Sequence, residues 1–246
     1  LRDVAPTTLS RKLSNDDLIR GVAALQHRSV DEVAKVAGPS GQDLGVAYVE
    51  APVSGIVCGI DIETTDRDPS RGYIINIGIE FMRLTSTAKP EHPFSSYCGI
   101  PELYREKGVP LAFVHHISWD DLAGKKPLRQ HNKMQRAILA TLEMYPFMAH
   151  NASFEDSWFM MQIDGYAEAR KAGRITPIDT RDICRRIDPE YKTLPHDSKP
   201  ATLENWARRR GTLKANQKET HLGLEDVDLM FRTVQAEFAE RNMFSS

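Results

Sequence analysis

An α/β fold is what this sequence predicts, and two observations predict it. Apolar, β-branched runs at about residues 55–63, 73–84 and 176–180 alternate with helix-periodic stretches at about 132–145, 153–164, 201–210 and 222–240. The first run also ends in two carboxylates, Asp61 and Glu63, two positions apart. Strand side chains alternate faces with period two, so both acids share one face. At 246 residues the chain suits one domain of ordinary size with an appendage.

Residues 1–52 read as a short helical appendage and residues 53–246 as the main domain. In the appendage, Asp16-Asp17 follow Ser14 ahead of Leu18, Ile19, Val22 and Ala23, a helix-like spacing. Ser29-Val-Asp-Glu32 is a capping-box pattern before Val33 and Val36, with Gly38 as the stop and Gly38-Pro-Ser-Gly41 as the hinge. In the main domain, Gly55–Glu63 is the first strand, with Cys58 as a packing residue, and Ile74-Ile-Asn-Ile-Gly78 lies in the second. An irregular stretch with one more strand follows. Apolar residues Tyr145 to Ala149 approach a helix that offers Glu155 or Asp156 in its first turn. Ile178-Asp-Thr180 reads as a short buried strand ending in a polar turn, and Pro189 to Pro200 as a loop. The last helix starts near residue 222, with His221 five positions before Asp226. There is no internal repeat.

Two anionic groups held side by side repel unless a cation lies between them, and hard oxygen ligands suit Mg²⁺ or Mn²⁺ rather than zinc. An isolated Asp-x-Glu is more often a solvated strand end, so its company decides. Five helical residues advance about 500°, which would leave His221 and Asp226 about 140° apart on one helix. The spacing therefore predicts His221 on the preceding loop, reaching back to Asp226.

These segments, in their order, resemble the DEDDh (DnaQ-like) family of 3′-to-5′ exonucleases, which includes the proofreading epsilon subunit of DNA polymerase III and ribonuclease T. The likeness covers about residues 55 to 240. Asp61-Ile-Glu-Thr-Thr65 matches the first motif, Ile74 to Gly78 the following strand, and His115-His-Ile-Ser118 is similar to a His-Gly-Ile-Thr segment. His150-Asn-Ala-Ser-Phe-Glu155 matches the second motif with Glu for Asp, Asp179-Thr180 a buried Asp-Thr, and His221 with Asp226 the third. Asp66 stands where the family often has Gly.

The resemblance implies a ribonuclease H-like fold, a mixed central sheet flanked by helices. It implies a metal set of Asp61, Glu63, Glu155 and Asp226 holding two Mg²⁺ or Mn²⁺, with His221 as general base; all five would be catalytic. Asp156 is the alternative to Glu155, lying about 100° further round the helix. Histidine suits the base because its ordinary pKa near 6.5 lets it take a proton from the attacking water at physiological pH. Thr64, Thr65, His116 and Asn151 are the candidate substrate contacts. The expected product is a nucleoside 5′-monophosphate from single-stranded DNA or RNA 3′ ends, with DNA favoured. If the chain proofreads, it does so with a DNA polymerase in trans, since no room remains here for a polymerase domain. The other readings are an exoribonuclease and a nucleic-acid-binding or polymerase-associated module whose catalysis has lapsed, to which the Glu at 155 points.

Net charge is −2, without the basic excess of many duplex binders. Residues 171–220 nevertheless hold twelve Lys/Arg against seven Asp/Glu, and Arg185-Arg186 with Arg208 to Arg210 read as a phosphate-facing patch or a solvated helix face. Three scattered cysteines suggest a reducing cytoplasm and match no zinc spacing. No apolar run is long enough for a membrane span.

Overall fold

The computed structural model describes residues 51–244, so the two expected appendage helices and the Gly38–Gly41 hinge lie outside the described residues. Five strands, β1 (Ile56–Thr64), β2 (Ile74–Arg83), β3 (Glu91–Tyr97), β4 (Phe147–Ala149) and β5 (Pro177–Asp179), form one sheet in the order β3-β2-β1-β4-β5. β1, β2 and β3 pair antiparallel, whereas β1–β4 and β4–β5 are parallel. The expected mixed sheet is therefore present, with the short apolar approach to residue 149 as its fourth strand.

Helices follow as α1 (Tyr104–Lys107), α2 (Ala112–His115), α3 (Trp119–Leu122), α4 (Asn132–Met144), α5 (Ser153–Gln162), α6 (Tyr166–Lys171), α7 (Thr180–Ile187), α8 (Leu203–Arg209) and α9 (Gly223–Glu240). One expectation is corrected here. Thr180 does not close a polar turn but opens α7, with the Asp179 carboxylate accepting the Arg181 amide as the cap. That is the ordinary preference of Asp for the position before a helix.

Period-two alternation divides β1 between two cores. Val57 packs with Met82, Trp206, Val227 and Phe231 on the α9 side; Cys58, Ile60 and Ile62 pack with Phe147, Trp158, Phe159 and Tyr166 on the other. Burying these large side chains on both faces supplies the main driving force for the fold. The odd-numbered face of β1 is the one that continues to Asp61 and Glu63, opposite Gly78 and Asn76 of β2. Glycine lets α9 reach that face. A Cβ on Gly78 would lie 2.1 Å from the Gly223 carbonyl carbon, and one on Gly223 would lie 2.9 Å from the Asp61 backbone carbonyl oxygen. The first turn of α9 thus lies backbone on backbone against the acid-bearing strands. Asn76, 2 % exposed, accepts the Gly223 amide at 3.1 Å and caps α9 from β2, where Leu222 offers no side-chain cap.

The arginine run in α8 is neither a phosphate-facing patch nor a solvated helix face. Arg208 pairs with Glu204 and Arg209 with the buried Asp188; Arg210 meets Asp188, Glu190, Glu237 and Glu240. These guanidiniums tie α7, α8, α9 and the loop after residue 188 together. The three cysteines are buried and form no disulfide. Among the described residues no helix is long and apolar enough to cross a membrane.

Candidate active site

One cleft is lined by Asp61, Glu63, Asn151, Glu155, Glu219, His221 and Asp226, together with His150, Phe154, Ile62 and Leu203. β1 delivers Asp61 and Glu63, α5 delivers Glu155, and the first turn of α9 delivers Asp226. Among the described residues no Lys or Arg lines it. Burial, then the charges of Glu155, Asp226, Glu63 and Glu219, push the Asp61 carboxyl well above its ordinary range. Burial together with Asp226 and Glu219 raises Glu63 to about 8. Asp226 rises to about 6, chiefly by burial, with the Thr220 and His221 amides and the Thr220 hydroxyl acting in the opposite sense.

The two candidates in the second motif have different surroundings. Glu155 is 2 % exposed, its Oε2 has no hydrogen-bond partner, and burial followed by Asp179 and Glu63 drives its carboxyl upward. Asp156 turns away and accepts from the Tyr166 hydroxyl at 2.6 Å and from Arg170 Nε at 3.1 Å. Its charge is already compensated by the protein.

His221 lies in the loop ahead of α9 with φ 52°, as the helical geometry requires, and its Nδ1 is 3.9 Å from Asp226 Oδ2. The Asp226 carboxylate holds that loop, accepting the Thr220 hydroxyl at 3.4 Å. His150 has a positioning place instead. Its Nε2–H donates to the Ala201 carbonyl, its Nδ1 faces the Thr180 hydroxyl at 3.0 Å, and burial pushes its pKa down to about 3. It stays neutral and locks the start of α5 to α7 and α8. Asn151 takes a left-handed φ of 89°; its amide donates to Asp179, and its side-chain oxygen accepts from Arg181 at 2.9 Å.

The remaining candidates lie off the cleft. The Thr64 hydroxyl donates to the Asp66 carbonyl and the Thr65 hydroxyl accepts the Tyr73 amide, so both brace the loop after β1. His116 is exposed at the end of α2, and its buried neighbour His115 accepts the Ile117 amide and bonds the Pro110 carbonyl. Glu219 is the cleft residue that sequence reasoning missed. Burial, then Asp226, raises its carboxyl to about 7, with His221 and a Glu204 backbone hydrogen bond acting in the opposite sense, and among the described residues its buried Oε1 has no partner. Its only sequence signal is its place two residues before His221.

A divalent cation fits this donor set. Glu63, His221 and Asp226 offer atoms that all lie within 4.8 Å of one another. Glu155 Oε2 and Glu219 Oε1 are buried carboxylate oxygens that no donor reaches among the described residues, and hard oxygen donors are what Mg²⁺ and Mn²⁺ bind.

No protein-family model and no curated protein matches the sequence. Solved structures do match. A 3′-exonuclease that recognises the histone mRNA stem-loop aligns at 13 % identity with a TM-score of 0.54, over 77 % of this chain and 84 % of its own. Exonuclease I of E. coli, in a zinc-bound complex with single-stranded DNA, aligns at 12 % identity with a TM-score of 0.54 over 77 % of this chain. The chain spans only 42 % of that exonuclease. The chain has the fold of these 3′-exonucleases. That fold is the ribonuclease H-like arrangement of a mixed sheet flanked by helices.

Proposed function

We propose that this chain is a metal-dependent 3′-to-5′ exonuclease of the DEDDh type that removes nucleoside 5′-monophosphates from nucleic-acid 3′ ends. The observation that carries the reading is the meeting of Asp61, Glu63, Glu155, Asp226 and His221 in one cleft. The two neighbours bear on the substrate, one recognising an RNA stem-loop and the other bound to single-stranded DNA. Single-stranded DNA is the favoured substrate and RNA 3′ ends the alternative.

Asp61, Glu63, Glu155 and Asp226 would hold two Mg²⁺ or Mn²⁺. When bound, such cations stabilise charge on the attacking and leaving oxygens of a phosphodiester and favour ionisation of the attacking water. His221 takes the proton from that water through its imidazole, which reaches the cleft from a loop rather than from a fixed helix. Asp226 orients that loop through Thr220. His150 and Asp179 fix the turn from which Glu155 enters the cleft. The lapsed-module reading leaves Glu155 to be neutralised by a proton alone, because among the described residues no donor reaches its buried Oε2 and the charged form is costly there without a cation.

Digestion of a 5′-labelled single-stranded DNA and a matched RNA, with Mg²⁺ or Mn²⁺, tests the reading. Progressive shortening from the 3′ end is expected, lost in EDTA and in Asp61→Ala, and the faster strand identifies the preferred sugar. No shortening of either strand at any metal concentration overturns the nuclease in favour of the binding module.

A further inference from the structure

The cleft holds one acid more than the four-carboxylate set. Glu219 stands in the segment between α8 and α9, two residues before His221, and lines the same cleft as Asp61, Glu63, Glu155 and Asp226. Its Oε1 is buried and has no hydrogen-bond partner among the described residues. On another element, Glu155 is 2 % exposed and likewise lines the cleft with an unpartnered Oε2. Among the described residues no Lys or Arg lines the cleft to compensate either oxygen.

Buried carboxylates are normally paired, hydrogen-bonded or bound to a metal. His221 and a Glu204 backbone hydrogen bond favour the Glu219 charge in part, but among the described residues no donor reaches Oε1, so either a proton or a cation must complete the compensation, and four neighbouring carboxylates supply the donor set of a cation. We propose that Glu219 is a fifth acidic ligand of the cation pair, acting directly or through a bridging water. The inference rests on the proposed nuclease reading and adds to it a residue from the segment that carries the base. Four carboxylates balance the formal charge of two divalent cations. A fifth leaves the loaded centre one charge negative, which favours metal retention over substrate attraction. It also ties the segment bearing His221 to metal loading, so that held cations fix the loop that already places the base in the cleft.

Calorimetric titration of Mn²⁺ into the full chain tests this, alongside thermal unfolding in EDTA and in Mn²⁺. Glu219→Gln keeps the shape of the side chain and removes its charge. It is expected to weaken Mn²⁺ binding about 10–100-fold, the usual effect of losing a group that supports a metal site. It should also raise the unfolding temperature in EDTA, because an uncompensated charge is gone, while shrinking the upward shift that Mn²⁺ produces. Glu219→Asp, with its charge on a shorter arm, should recover part of the affinity. Asp61→Asn should lose Mn²⁺ binding in the same assay. If Glu219→Gln binds Mn²⁺ as the wild type does and unfolds no higher in EDTA, Glu219 is only a loop residue and the proposal fails while the nuclease reading stands. If the wild type binds no Mn²⁺, the nuclease reading itself fails.

Discussion

Carboxylates gathered in a buried cleft make the protein's own proton binding a readout of the site. Glu63 is raised from 4.5 to about 8, Glu219 from 4.5 to about 7 and Asp226 from 3.8 to about 6, burial being the first cause in each case. The folded protein therefore holds protons that the unfolded chain has already released. Unfolding releases them, and metal-free stability must fall as pH rises from about 4 to about 8. Each such proton is worth about 1.4 kcal/mol per pH unit within its window. Thermal unfolding in EDTA should thus show a falling midpoint between pH 5 and pH 8. Saturating Mg²⁺ or Mn²⁺ should flatten or reverse the slope, because metal ligands must be deprotonated. A midpoint in EDTA that rises across this range would refute the buried acidic centre. The same chemistry separates two neighbours. Glu155→Gln should abolish metal-dependent stabilisation and raise stability in EDTA. Asp156→Asn should leave the metal response intact while costing about 1.5–3 kcal/mol, because it weakens charged hydrogen bonds to Tyr166 and Arg170.

At the scale of elements, the site depends on how α9 is seated. Gly78 and Gly223 cross at backbone contact, and Asn76 caps the helix from the neighbouring strand. Gly78→Ala should push the first turn of α9 off the sheet at a cost of about 1–3 kcal/mol. It should also separate Asp226 from Asp61, so that Mn²⁺ affinity falls while far-UV circular dichroism still reports a folded α/β protein. Wild-type metal affinity in Gly78→Ala would mean the crossing does not position the acid. This dependence also explains what was legible beforehand. The common face of Asp61 and Glu63 follows from strand period, and the loop position of His221 from helical rotation, both local rules. The seat of α9 joins residues 147 positions apart, and the partners of Arg209 and Arg210 lie as far off as Asp188, Glu237 and Glu240. No local pattern in the α8 arginines reveals them. Glu219 was missed for a related reason, since it belongs to no periodic element. The cap at Asp179 was within reach of a local rule, but the apolar Ile178 before it read as strand.

For the whole molecule, the domain boundary expected near residue 52 becomes a question about the first described segment. Val53 is 3 % exposed in the core on the α9 side, and its amide donates to the Met243 carbonyl at 2.7 Å, beside a bridge to Phe244. The start of the domain is thereby fastened to the chain just beyond α9, the helix that carries Asp226. We propose that residues 53–246 form the catalytic domain and that residues 1–52 are an appendage to it. A chain beginning at residue 51 should then keep the wild-type midpoint in EDTA, the wild-type Mn²⁺ shift and the 3′-end digestion. A chain beginning at residue 54 removes the buried valine and its hydrogen bond. Burial of a Val side chain is worth about 1.5–3 kcal/mol, so the midpoint should drop by roughly 3–12 °C. Because the loss falls beside α9, Mn²⁺ affinity should weaken with it. Lost activity in the chain beginning at 51, with its unfolding midpoint and Mn²⁺ shift unchanged, would instead assign residues 1–50 to substrate binding, and the appendage would become part of the enzyme.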